Sequence, residues 1–206
     1  DGGWSWTLDR TTDLGTSDNP NPCPCLVTRG RRDGADVLLN LESCGAIAIS
    51  GTDYVVDALW RSVATELAGS AFADSPTVLL VVVGGLAARP DHARAVDVPE
   101  AIGWLRDRAD AAGAMLAHRR LTSLFALRTR SRPQDGHEPV VVVIDPDGLP
   151  EDDVAALLNL ANGDLGSVVV VLGSRPSISW QISCGADVTE LQPLGLALET
   201  VGLPVN

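Results

Sequence analysis

Continuous apolar runs recur along most of the chain and are separated by stretches with helical periodicity. Residues 46–50, 77–83, 140–144 and 167–172 consist mainly of alanine, valine, leucine and isoleucine, and each run stops at strand length. Runs that lack a polar residue at every second position are typical of strands buried on both faces of a parallel sheet. The four runs therefore predict a mainly parallel central sheet.

Amphipathic segments lie between these runs. Residues 53–69 predict a helix that ends at Gly69, with its apolar face formed by Val56, Leu59, Trp60, Val63 and Leu67. Residues 152–161 predict another helix, and residues 99–116 and 119–129 predict either one long helix or two short ones. Strands that alternate with helices indicate an α/β fold, and we expect a three-layer sandwich of the P-loop NTPase-like type.

Hairpins are predicted near both ends of this α/β region. Two strand-like segments flank an Asp-Gly turn signal at residues 31–34, and two more flank Cys184-Gly185-Ala186. The predicted strands are residues 25–29, 37–41, 180–183 and 187–191. Residues 1–24 are rich in loop signals, with Trp4 and Trp6 in a short predicted edge strand. We therefore divide the chain into an N-terminal extension, residues 1–24, and one compact domain, residues 25–206.

Charge and composition exclude several functional classes. The 206 residues carry 27 acidic and 15 basic side chains, a formal net charge of -12 that repels nucleic acid. Every basic residue is arginine, which excludes a Schiff-base lysine, a pyridoxal-phosphate lysine and a phosphate-loop lysine. No apolar run approaches the roughly 18 residues of a membrane span. The chain starts without methionine, and we expect a soluble segment cut from a longer protein.

The segment that follows the first apolar run has the order of a phosphate-binding loop. A working loop reads GxxxxGK[ST] between a strand and a helix. With its first glycine at Gly51, the second glycine falls on Val56, the lysine on Asp57 and the hydroxyl on Ala58. Each of these residues opposes phosphate binding, and Asp53 adds a carboxylate that can cap the helix N-terminus. We expect the loop to keep its shape and to have lost its chemistry.

Acidic and polar residues also follow the later strands. Asp145 ends the run VVVVID, at the position where many ATPases have a metal-coordinating acid. The next position, where many ATPases have a water-activating glutamate, is Pro146. Asp147 either replaces that glutamate or belongs to an ordinary strand-to-helix turn. Ser174 and Arg175 stand where a polar sensor is expected. The candidate nucleotide positions are thus Gly51, Thr52, Asp53, Asp57 and Asp145, which we expect to be empty, with no cofactor.

The cysteines and histidines give no clear metal pattern. We expect the four cysteines to be buried or incidental thiols, with Cys44 and Cys184 inside strand-like segments. There are two alternatives: a zinc site formed by Cys23, Cys25 and histidines, and a disulfide. The histidines, at positions 92, 118 and 137, lack metal-binding spacing, and we expect no metal.

Several motifs resemble those of known families. LVTRG, VLLNLESCGAIAISG, VVVVID and LGSRPS resemble successive strands and loops of FtsK/SpoIIIE-type DNA-translocating ATPases over about residues 25–183. WSWTL, PCLVTRG and WQISCGADVTELQPLGLAL resemble a degenerate ATPase-like region of actinobacterial membrane-anchored proteins that carry a LysM module or a bacterial transcriptional activator domain. The second resemblance implies membrane helices and further domains outside this chain, which would place this segment on the cytoplasmic side of the membrane.

These observations predict a non-catalytic, pseudo-ATPase-like module for structure or protein interaction. The alternatives are a residual nucleotide sensor, using backbone amides of residues 51–54 and Asp145 with Mg²⁺, and an FtsK-like domain that assembles into rings. We expect a protein partner or self-association, no nucleic acid, and a membrane only through flanking segments. A basic stretch from Arg119 to Arg132 either docks a partner or an anionic surface, or packs in the domain with its arginines in water.

Overall fold

The structure, a computed structural model, describes residues 22–69, 76–81, 93–130, 138–185 and 187–200. The strands are β1 (Leu26–Arg32), β2 (Ala35–Asn40), β3 (Ala46–Gly51), β4 (Thr77–Val81), β5 (Ala93–Val96), β6 (Val140–Ile144), β7 (Ser167–Leu172), β8 (Trp180–Cys184), β9 (Val188–Gln192) and β10 (Leu196–Glu199). The helices are α1 (Leu41–Cys44), α2 (Asp53–Gly69), α3 (Val98–Arg119), α4 (Leu124–Arg128) and α5 (Glu151–Asn159). None of the helices in these ranges is long and apolar enough to cross a membrane.

All ten described strands form one sheet in the order β2-β1-β10-β9-β8-β3-β7-β6-β4-β5. The six strands from β8 to β5 run parallel, and β9, β10, β1 and β2 extend the sheet in antiparallel pairs. The predicted mainly parallel sheet with hairpins at its ends is confirmed.

The sheet is buried on both faces where helices cover it. All five residues of β6 are buried, as the continuous valine run predicts. On one face α2 contributes Trp60, Val63 and Leu67 to a core with alternate residues of β3, β6 and β7. On the opposite face, residues of α3 and α5 pack against the remaining residues of the same strands. The predicted three-layer α/β sandwich is therefore confirmed.

The N-terminal hairpin has the predicted tight turn. Arg32 pairs with Ala35, so only Asp33 and Gly34 lie between β1 and β2. Their φ angles are 53° and 79°, and two central residues with positive φ define the type I′ turn that suits the twist of a hairpin. At the other end, β8 and β9 form the predicted antiparallel hairpin, which β10 extends.

Several elements differ from the sequence prediction. Of the two alternatives for residues 99–129, the structure has two helices, but α3 is long and only α4 is short. The break between them follows from Arg120, which adopts a left-handed conformation with φ of 56°, and from Ser123, which caps α4 by accepting a hydrogen bond from the Ala126 amide. The short elements β5, β10 and α1 were not predicted. Cys44 ends the one-turn helix α1, so its assignment to a strand is wrong. The predicted strand at Trp4 and Trp6 lies outside the described residues.

Candidate functional site

The carboxyl ends of β3, β7 and β6 meet at one edge of the parallel sheet, where open α/β sheets usually bind ligands. The Gly173 amide, just after β7, donates a 2.7 Å hydrogen bond to the Ile49 carbonyl of β3. Pro146, just after β6, lies beside Gly173. Since β7 separates the other two strands, Gly51 and Asp145 are two strand spacings apart, about 10 Å.

The connection between β3 and α2 is much shorter than a phosphate-binding loop. Gly51 still pairs with Cys184 as part of β3, and α2 begins at Asp53, so Thr52 alone joins the strand to the helix. The Thr52 carbonyl accepts hydrogen bonds of 2.9 Å from the amides of both Val55 and Val56. In GxxxxGK[ST] the residues between the glycines wrap the phosphates, whereas residues 53–56 are already helical here. The expectation that the loop keeps its shape is therefore wrong.

Asp57, at the position of the missing lysine, lies beyond the first turn of α2. Its Oδ2 accepts a 2.9 Å hydrogen bond from Nε of Arg61 and lies 2.8 Å from Nη2 of the same side chain. Its Oδ1 is buried and accepts no hydrogen bond from the described part of the chain. The carboxylate that we expected to repel phosphate is thus paired within its own helix.

The other candidate acids have simpler surroundings. Asp53 is exposed in the first turn of α2, where a negative charge interacts favourably with the helix dipole. Asp145 is half-buried and accepts a 3.1 Å hydrogen bond from the Asp147 amide, which caps the single 3-10 turn Pro146–Gly148. Asp147 is exposed on that turn. Asp145 therefore stabilises the strand-to-helix connection of which it is part.

The predicted sensor position forms an ion pair. Nη1 of Arg175 lies 2.9 Å and 2.8 Å from the two carboxylate oxygens of Glu151, the first residue of α5. Ser174 is exposed beside it. The arginine thus connects the loop after β7 to the start of α5.

The four cysteines are free thiols in this structure. Burial raises the pKa of each thiol, to about 12 for Cys44 and about 11 for Cys184. Among the described residues, no three His, Cys, Asp or Glu side chains form a group that could hold a metal ion. His118 is exposed, whereas positions 92 and 137 lie outside the described residues.

A buried ion pair at the opposite edge of the sheet was missed. Nη1 and Nη2 of Arg128 lie 2.6 Å and 3.0 Å from the carboxylate oxygens of Glu42, and both residues are 5% exposed. Burial raises the pKa of Glu42, although the hydrogen bond from Arg128 opposes this effect. The prediction that the arginines of this stretch lie in water is wrong for Arg128. A lone glutamate within LNLESCG was the available signal, since glutamate is rarely buried without a partner.

Arg29 of β1 is a second buried arginine. It is 3% exposed, and its Nη2 lies 3.2 Å from Oε1 of Glu66 on α2. Burial lowers the pKa of Arg29 to about 10. The pair attaches α2 to the antiparallel part of the sheet, because Glu66 also accepts a hydrogen bond from the Thr28 amide.

The sequence matches no protein-family model and no curated protein. Its fold is similar to several solved ATPase structures. The pCW3 conjugation coupling protein TcpA, solved as a monomer with ATPγS, aligns with a TM-score of 0.60 and 12% identity over 86% of this chain. ATPases 2 and 3 of EssC from Geobacillus thermodenitrificans align with a TM-score of 0.62 and 12% identity over 88% of this chain.

A third similar structure contains a bound peptide. ATPases 2 and 3 of Thermomonospora curvata EccC, in complex with a signal sequence peptide, align with a TM-score of 0.55 and 16% identity over 92% of this chain. This chain spans 66%, 45% and 44% of the TcpA, EssC and EccC structures respectively. At such low identity the likeness is one of fold, and the chain has the fold of FtsK-like P-loop ATPase domains.

Proposed function

We propose that this ATPase-like domain has no catalytic activity and acts as a protein-interaction module. The connection between β3 and α2 is the observation that carries the proposal. Because only Thr52 joins the strand to the helix, the backbone amides that would surround a triphosphate are instead in the strand and the first helical turn. The chain also lacks lysine, the usual partner of the β- and γ-phosphates.

Two further observations support the loss of turnover. The Asp57 carboxylate pairs with Arg61, and the Asp145 carboxylate caps its own turn. Each of these carboxylates thus has a structural partner close to it in the sequence. The EccC ATPase domains with a bound signal sequence peptide support a role in protein recognition.

The larger setting is part of the proposal. From the resemblance of the WSWTL and WQISCGADV motifs, we propose that the domain belongs to an actinobacterial membrane-anchored regulatory protein with a LysM or transcriptional activator module. On this proposal the domain lies on the cytoplasmic side and contacts the membrane only through flanking segments. Light scattering at several concentrations distinguishes a monomeric module from a ring-forming one.

A titration with a fluorescent ATP analogue tests the loss of nucleotide binding. The natural domain, an Asp57→Lys variant and TcpA are titrated with and without Mg²⁺, with TcpA as the positive control because its structure contains ATPγS. We expect neither form of this domain to bind at millimolar nucleotide, since a lysine at position 57 would lie beyond the first turn of α2. Saturable micromolar binding by the natural domain would contradict the proposal and indicate a nucleotide sensor.

A further inference from the structure

A groove follows helix α5 on the side of the sheet opposite α2. Its lining residues come from three stretches, together with Ser123 and Phe125. These stretches are residues 40–46, residues 151–164 of α5 and its following turn, and residues 177–180, which lead into β8. Its volume is about 670 Å³, within the range of ligand-binding sites. It extends from the start of α5 to the amino ends of β3 and β8, away from the β3–α2 connection. We name it the α5 groove.

The charged side chains that line the α5 groove are all acidic. Its lining contains Glu42, Glu151 and Asp164 and has no arginine or histidine among the described residues. Glu42 is paired with buried Arg128, and Glu151 with Arg175, whereas exposed Asp164 makes no ion pair with the described residues. Glu151 is itself 73% exposed, so it remains open to a second cation. The groove therefore favours a positively charged occupant.

Apolar side chains accompany these carboxylates. Phe125 is 47% exposed at the groove, which is unusual for so large an apolar residue on a short helix that otherwise buries Leu124 and Leu127. Leu158 is half-buried along the same groove, whereas Trp180 packs against the core to which α2 contributes. Exposed aromatic rings provide contact area and attract cationic side chains by cation–π interaction.

The dimensions of the groove favour a short, extended occupant. The nine residues of α5 span about 13 Å at about 1.5 Å per residue. About four residues of extended chain cover this length at about 3.3 Å per residue. An occupant of this size is a linear motif and not a folded domain.

We propose that the α5 groove binds a short extended segment of a partner protein, in which arginine or lysine side chains lie next to apolar ones. The basic side chains pair with Asp164 and Glu151, and the apolar ones contact Phe125 and Leu158. This inference rests on the proposed role as an interaction module and assigns the class of partner.

Fluorescence anisotropy with a defined peptide tests the proposal. The probe is a labelled six-residue peptide of alternating arginine and leucine, and the matched peptide has glutamate in place of each arginine. Asp164→Arg reverses a charge in the groove, and Glu190→Arg makes the same change on an exposed residue of β9 outside it. Phe125→Ala removes the aromatic contact, and circular dichroism checks that each variant is folded.

We expect saturable binding of the arginine peptide at physiological ionic strength and none of the glutamate peptide. Asp164→Arg should weaken binding about tenfold and Phe125→Ala severalfold, whereas Glu190→Arg should change it less than about twofold. Equal losses from Asp164→Arg and Glu190→Arg would overturn the proposal, because they indicate attraction to the net charge alone. Absence of binding to the natural domain would also overturn it.

Nucleotide and peptide results are separable. If the fluorescent ATP analogue binds while the arginine peptide behaves as expected, the proposed loss of nucleotide binding fails, whereas the assignment of the α5 groove as a peptide site is retained. If neither ligand binds, the groove assignment fails and the absence of nucleotide binding remains.

Discussion

Removing one partner of the buried Glu42–Arg128 pair has a cost that follows directly from the structure. The two side chains are 6% and 4% exposed, and the guanidinium contacts both carboxylate oxygens. In Arg128→Met an apolar side chain of similar length replaces the guanidinium, and the Glu42 carboxylate stays in a site closed to water. Breaking a buried pair from one side lowers the free energy of unfolding by about 3 to 5 kcal/mol.

The same change makes stability depend on pH. Burial already raises the pKa of Glu42 with Arg128 present, and loss of the cation raises it further. The folded variant then binds a proton more readily than the unfolded chain, so its stability is highest below the ordinary pKa of glutamate and falls as pH rises through the folded pKa. Near neutral pH, the loss corresponds to a decrease in Tm of about 6 to 20 °C for a domain of this size.

Urea unfolding, followed by tryptophan fluorescence, measures this effect, since Trp60 is fully buried. The control is Arg31→Met, because the Arg31–Asp36 pair is 37% and 36% exposed and should lose only about 0.2 to 1 kcal/mol. Adding Glu42→Gln to Arg128→Met should recover most of the loss. A loss from Arg128→Met no larger than that from Arg31→Met would refute the burial of these charges.

Two further predictions concern the β3–β8 contact and the thiols. In Gly51→Ala the new Cβ would lie 2.8 Å from the Cys184 carbonyl oxygen, so we expect the free energy of unfolding in urea to fall by about 1 to 3 kcal/mol. The control is Gly113→Ala within α3, where no atom lies close to the new Cβ, and it should instead raise the free energy of unfolding by about 0.5 to 1 kcal/mol. Similar effects of the two substitutions would contradict the close approach of Gly51 to Cys184. Because the pKa values of the Cys25 and Cys44 thiols are raised, the folded protein at pH 8 contains little of either thiolate and should react with a thiol reagent far more slowly than the unfolded protein. Rapid reaction of these two thiols, located by mass spectrometry, would contradict their raised pKa values.

The central layer of the fold could be predicted from the sequence because its pattern has one interpretation. The valine runs of β6 and β7 are too short for helices and too continuous for strands with one exposed face. The Asp33-Gly34 turn and the amphipathic helix α2 carry equally direct local signals. Where local sequence dictates local structure, prediction and structure agree.

The missed elements depend on contacts distant in sequence. Strands β5 and β10 have only four residues each, and pairing with their neighbours, not their own pattern, makes them strands. Arg128 is the last residue of the short helix α4, and only the fold brings Glu42 to it across 86 positions. The α5 groove could not be predicted for the same reason, because the three stretches that line it are far apart in the sequence.

The candidate site was predicted in composition but not in geometry. The absence of lysine is visible in the sequence, and the identities of Asp57 and Asp145 follow from the register. The start of α2 also follows from the predicted helix over residues 53–69, but the GxxxxGK[ST] register does not take into account that this start leaves Thr52 alone between the strand and the helix. Once the helix starts at Asp53, the i,i+4 spacing brings Arg61 to Asp57.

Amide hydrogen exchange of residues 51–58, with and without millimolar ATP and Mg²⁺, tests most directly whether the β3–α2 connection has lost the phosphate-binding loop. The account predicts that the amides of Val55 and Val56, which donate to the Thr52 carbonyl, are protected without nucleotide and that nucleotide leaves the exchange of the segment unchanged. Rapid exchange of these amides without nucleotide, followed by protection when ATP is added, would contradict it by showing a loop that closes around phosphate.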